Sequence, residues 1–198
     1  MPYIKECKAP DLTDLSIPVM RDYLFNLVFD HAGIEDQTAS SFLHNFLMVT
    51  DKALSEYNAA RELLIKYVAS ANKTMLLIEA FGRFETCINS IRRCLRYVDK
   101  MARHPFSPVI DRTLRRSLES YESNIKPLRN AIEHMDEDIL SGETPRGIPH
   151  ALKITSDAEY LQIASYRLSF TDISAILRQL HSLATKLSRY REQERSER

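Results

Sequence analysis

The chain has 198 residues, 44% of them apolar and 27% charged, which is enough ordinary globular sequence for one well-cored domain. Only four glycines and eight prolines argue against an all-β protein, which spends such residues on many turns. Twenty-seven basic residues balance 27 acidic ones, so overall charge draws the chain to neither nucleic acid nor an anionic membrane. Any electrostatic preference must come from local clustering.

Residues 1–15 lack sustained periodicity and read as an N-terminal arm. Ser16 before Pro18 signals a first helix that should stop near Gly33. From Thr38 the apolar positions Leu43, Leu47, Leu54, Tyr57, Leu64 and Val68 recur at helical spacing, predicting one long helix or two abutting ones. Leu77, Phe81, Phe84, Ile88, Ile91, Leu95 and Val98 alternate steps of four and three, the seam of a helix packed at a shallow angle in a bundle. That helix should end at "RHPFSP", with Ser107-Pro108 capping the next.

The following seam is Leu114, Leu118, Tyr121, Ile125, Leu128, Ile132, Met135 and Ile139. Pro127 interrupts it without shifting its register, so a helix kinked at Pro127, or two nearly in line, is expected up to Ser141-Gly142. Residues 142–149 read as a turn-rich connector, and short β-prone pieces on either side of Ser156-Asp157 as a small hairpin. A last helix after Thr171 presents Ile173, Ile176, Leu180, Leu183, Leu187 and Tyr190, and the charged stretch 191–198 reads as a flexible tail. The expected fold is one all-α domain over 1–198, an up-and-down helical bundle with a β-hairpin insert before the last helix.

Cys7, Cys87 and Cys94 form an odd set without CxxC spacing, which fits reduced thiols better than a disulfide framework or a zinc site. Cys87 and Cys94, seven apart on one helical face, read as core. No basic-then-apolar leader opens the sequence and no apolar run approaches transmembrane length, so no membrane association and a cytoplasmic location are expected. The six histidines are scattered, and HExxH, GxSxG and P-loop patterns are absent, so neither a metal nor a nucleotide cofactor is expected.

The stretch "KPLRNAIEHMDE", Lys126 to Glu137, carries the candidate chemistry. Arg129, Asn130 and His134 fall off the core seam. At about 100° per residue, Arg129 and His134 flank that seam roughly 140° apart, so one straight helix does not converge them. A distortion at Pro127, or a second copy across a two-fold axis, would be needed to bring them together. The residue types suit attack of a ribose 2′-hydroxyl on the adjacent phosphodiester. Histidine transfers protons near neutral pH, arginine offers permanently charged donors to phosphate oxygens, and Asn130 positions ring or phosphate. A fresh helix beginning at Pro127 would add unpaired N–H groups that favour an anion. The structural alternative is an ordinary solvated Arg129–Glu133 pair and a surface His134.

"LRNAIEHMDE" resembles the R-x4-6-H signature of HEPN domains (the higher-eukaryote and prokaryote nucleotide-binding helical bundles), with Arg129 and His134 in the two fixed positions and Asn130 in the polar position after the arginine. The resemblance implies a metal-independent endoribonuclease, a toxin or defence effector, that cleaves RNA rather than DNA at a composite homodimer site under an antitoxin or other regulatory protein. It equally admits a non-catalytic dimeric adapter. Asp136 stands where members controlled by a nucleotidyltransferase antitoxin often carry a modified tyrosine, which speaks against that route of control.

Two further features bear on RNA. Arg92, Arg96, Lys100 and Arg103 recur at helical spacing within a segment that also holds Arg93, Arg112, Arg115 and Arg116, opposed only by Asp99 and Asp111. This is a basic stripe able to guide an RNA backbone, or else a plain solvated helix face. Glu85, beside seam residue Phe84, is a candidate support for the active-site arginine of its own or the partner chain, or a partner for Arg83 or a lysine.

Overall fold

The computed structural model describes residues 4–29, 33–70, 73–142 and 151–190. After a 3-10 turn at Thr13–Leu15 come α1 (Val19–Phe29), α2 (Gln37–Ala69), α3 (Thr74–Arg103), α4 (Arg112–Glu133) and α5 (Met135–Leu140). Strands β1 (Lys153–Ile154), β2 (Tyr160–Ile163) and β3 (Tyr166–Ser169) precede α6 (Phe170–Leu187). The architecture is mainly helical, with a small antiparallel sheet near the C-terminal end.

The periodicity from Thr38 resolves into one helix, α2, of 33 residues, about 50 Å long. It runs antiparallel to the 30-residue α3, as the pairs Phe42–Tyr97, Thr50–Cys94 and Tyr57–Phe84 show by advancing in opposite directions. The α3 seam lies inside, with Leu77, Phe84, Ile88, Ile91, Leu95 and Val98 buried and Phe81 packed at its edge. Phe84 is the centre of the aromatic core: Tyr57 meets it edge-on at 6.1 Å and Phe170 at 5.3 Å. The Tyr57 hydroxyl is satisfied by donating to the Pro10 carbonyl at 2.9 Å, and burial pushes its pKa well above the ordinary tyrosine value.

Cys87 and Cys94 are fully buried, and desolvation pushes the Cys94 thiol up to about 12. Thiols held protonated in this way serve as small apolar groups, as their spacing on α3 implied.

The N-terminal arm is strapped to the bundle. Ile4, Ala9 and Leu12 are buried, Arg61 donates to the Ala9 carbonyl at 2.9 Å, and Lys8 reaches Glu159 at 3.0 Å. Arg178 of α6 grips Asp14 at 2.7 Å. Helix α1 starts just past Pro18, and its first amides are held from another element: Val19 and Met20 donate to the two Asp51 carboxylate oxygens at 2.9 and 2.8 Å. Its expected stop near Gly33 falls past Phe29, with residues 30–32 outside the described residues.

Three expectations need correction. The cap of α4 is Asp111, whose carboxylate accepts from Leu114 N–H at 2.9 Å, rather than Ser107-Pro108. Aspartate and serine cap about equally well, so position decides: Asp111 directly precedes the first helical residue, whereas Ser107 is buried in the connector four residues earlier. The break in the fourth helix falls at His134 rather than Pro127, which lies inside α4. The insert is a three-stranded meander, β1-β2-β3, rather than a two-stranded hairpin. Ile154, Leu161 and Leu168 pair across it in one buried row, so the third strand widens the apolar face beyond that of a marginal two-stranded hairpin. The connector beyond Gly142 and the tail at 191–198 lie outside the described residues.

No helix among the described residues is long and apolar enough to cross a membrane.

Candidate functional site

Helix α4 carries Arg129 and Asn130 in its last turns, and His134 is the residue that ends it. Leu128 and Ala131 are buried and Ile132 packs against the core, which fixes the orientation of this last turn. Arg129 and Asn130 are thereby left half-buried at its edge. The helix stops where His134 leaves helical geometry, at φ −101° and ψ 21°, with its N–H still donating to the Asn130 carbonyl at 2.8 Å. A six-residue helix, α5, starts immediately after, without a side-chain cap.

The three residues are connected through Asn130. Its side-chain Oδ1 accepts from an Arg129 guanidinium nitrogen at 3.3 Å, while its carbonyl anchors His134. Arg129 and His134 do not touch one another through any hydrogen bond among the described residues. Each faces a carboxylate farther along the chain: Arg129 is ion-paired with Glu133, and His134 Nδ1 lies 3.2 Å from Glu137 Oε2. The His134 side chain is 52% exposed, so solvent and a ligand can both reach the ring. Because Pro127 does not begin a new helix, the ring of free N–H donors expected there is not available.

Glu85 is half-buried on α3, and desolvation holds its carboxyl above the ordinary glutamate pKa. It has no ion pair among the described residues. Arg83, the expected partner, pairs with Glu56 of α2 at 3.1 Å, and Arg129 is taken by Glu133. Within its own chain Glu85 therefore pairs with neither cation.

The basic stripe of α3 faces α4 across a groove of about 470 Å³. Leu95, Val98 and Leu118 form its apolar floor, and charged side chains from both helices form its walls. Within the basic segment itself only Asp99 and Asp111 oppose the stripe. The structure adds Glu119 and Glu122, which pair with Arg115 at 3.2 Å and with Arg92. Their signal was present in the stepping Arg115, Glu119, Glu122, which places all three on one face of α4. The Arg129–Glu133 pair, named above as the ordinary alternative, is present, and Glu137 could likewise have been read from its three-residue offset to His134.

Among the described residues, no group of three or more histidine, cysteine, aspartate or glutamate side chains gathers to hold a metal ion. What the motif offers is one exposed imidazole on a helix break, one guanidinium and an amide that touches it. No protein-family model, curated protein or solved structure matches the chain.

Proposed function

We propose that the chain is a HEPN-like bundle acting as a metal-independent endoribonuclease, a homodimeric toxin or defence effector of the cytoplasm. In this reading His134 removes the proton from the ribose 2′-hydroxyl, or delivers one to the departing 5′-oxygen. The 2′-oxygen attacks phosphorus, the P–O5′ bond breaks, and the products are a 2′,3′-cyclic phosphate and a 5′-hydroxyl. Arg129 stabilises the charge on the non-bridging oxygens, and Asn130 positions the arginine.

The observation that carries the reading is the exposed His134 ring at the helix break, linked through Asn130 to Arg129. One protomer supplies these groups without converging them, so the reading requires a second copy whose Arg129 and His134 face the first across a two-fold axis. The test is cleavage of single-stranded RNA in EDTA. His134→Ala is expected to lower the rate by about 10²- to 10⁴-fold, with Arg129→Ala similarly impaired. Full activity in both variants, or none in the parent chain, sinks the assignment.

A second reading is favoured by Glu133. An arginine already held by its own helix is a satisfied surface group, as in an adapter that dimerises without catalysis. Sedimentation of a stable dimer that cuts no RNA would establish the adapter.

A further inference from the structure

We infer that the groove between α3 and α4 is a track for the phosphodiester backbone of single-stranded RNA, leading toward Arg129 and His134. The inference deepens the cleavage reading and rests on it for the identity of the polyanion.

The chain is neutral overall, yet the groove walls carry five cations against three carboxylates. Each carboxylate is engaged by one cation: Glu122 by Arg92, Asp99 by Arg103 at 2.8 Å, and Glu119 by Arg115. Arg96 and Lys100 have no ion pair among the described residues, and both are exposed. They stand four apart on one face of α3, where like charges repel, and an anion seated between them relieves that repulsion. The surplus charge is therefore local, exposed and unmatched among the described residues.

The shape also fits a strand. From Arg92 to Arg103 the cationic wall covers about 16 Å of helix, the length of roughly five stacked nucleotides. No aromatic side chain lines the groove among the described residues, so it reads phosphates and leaves bases unread. On α4 the stepping Arg115, Glu119, Glu122, Lys126, Arg129 keeps one face, and Arg129 lies about 10 Å beyond Glu122 along the axis. Exposed Lys126 supplies a further cation between the groove and the motif.

The test is fluorescence anisotropy of a labelled oligouridylate against the full chain, over a salt series. Arg96→Glu/Lys100→Glu is expected to weaken binding at low salt by about tenfold or more. Arg96→Gln/Lys100→Gln should flatten the slope of log K against log salt by roughly 1.4, two phosphate contacts at about 0.7 each. Lys5→Glu/Lys52→Glu, exposed and off the groove, makes the same change in net charge and should cost much less. Equal loss in that control, binding indifferent to Arg96 and Lys100, or displacement by polyglutamate as effective as by unlabelled RNA, overturns the track. Cleavage in EDTA, scored alongside, separates the two claims. Groove variants that weaken binding by a chain that cuts nothing keep the track and sink the nuclease. Loss of cleavage in His134→Ala, with binding indifferent to the groove, keeps the nuclease and overturns the track.

Discussion

Glu133 provides the sharpest test of what Arg129 is for. If the guanidinium meets a phosphate in the working site, Glu133 competes for it, and its charge opposes the charge developing on phosphorus. Two unit charges about 4 Å apart interact by ~1 kcal/mol in water and ~4 kcal/mol at the effective dielectric of a protein surface. The Arg129 and Glu133 side chains are 28% and 36% exposed, which together with salt screening puts the value near the lower bound. Glu133→Gln is therefore expected to raise kcat/KM for RNA cleavage by about fivefold, equivalent to ~1 kcal/mol. Stability should barely move, since an exposed pair at this spacing contributes only a few tenths of a kcal/mol. The assay is initial-rate cleavage in EDTA, with a urea melt of each variant. An unchanged kcat/KM would mean that Arg129 never meets the phosphate. A several-fold fall would mean that Glu133 orients the arginine instead of masking it.

Three further outcomes follow from the fold. Asp51→Ala removes both acceptors from the first turn of α1 and should cost about 2 kcal/mol in urea unfolding; Asp51→Asn, which keeps one acceptor oxygen, should lose about half of that. Ala164 turns the chain between β2 and β3 at φ +50°, and Ala164→Gly should add roughly 0.5 kcal/mol, relieved left-handed strain outweighing the entropy of glycine in the unfolded chain. Glu85 has a folded-state pKa above its unfolded value, so it favours folding below the unfolded pKa and opposes it as pH rises through the folded one. Glu85→Gln should accordingly raise Tm at neutral pH, with the gain shrinking as pH falls below the unfolded pKa of about 4.3, toward pH ~3, where the carboxyl is protonated in both states. A gain independent of pH would show that packing, and not ionisation, separates the two side chains.

Long periodic helices were the most legible part of this chain. Leu77 to Val98 and Ile173 to Leu187 announce their buried faces because steps of three and four keep one side of a helix inward whatever it packs against. The end of α4 was not legible, because proline is the strongest local breaker in the sequence and nothing local marks His134. Pro127 is accommodated within a helix whose Leu128 and Ala131 are held by the core, so tertiary packing overrides the local signal. The Asp51 clamp on α1 joins residues about thirty positions apart, beyond the reach of any local cap pattern. At the motif, the sequence showed which residue types are present and that they diverge. The Arg129–Glu133 pair was legible from its four-residue spacing, but the three-residue offset of Glu137 from His134 did not by itself settle a pairing, because a surface carboxylate at helical spacing is as often solvated as paired.

The strapped arm has a consequence for the order in which the molecule can be completed. Its anchors lie far down the chain: Lys8 waits for Glu159, and Asp14 for Arg178. During synthesis the arm emerges before these partners and is thus among the last segments to find its full set of them. The α2–α3 hairpin, made of near neighbours in sequence, can assemble well before it. Until α6 arrives, Leu12 and the hydroxyl of Tyr57 have only part of their final surroundings. A nascent chain is therefore predicted to pass through a stage with the α2–α3 hairpin formed and the arm at residues 4–15 still loose, and the arm closes only after α6 is in place.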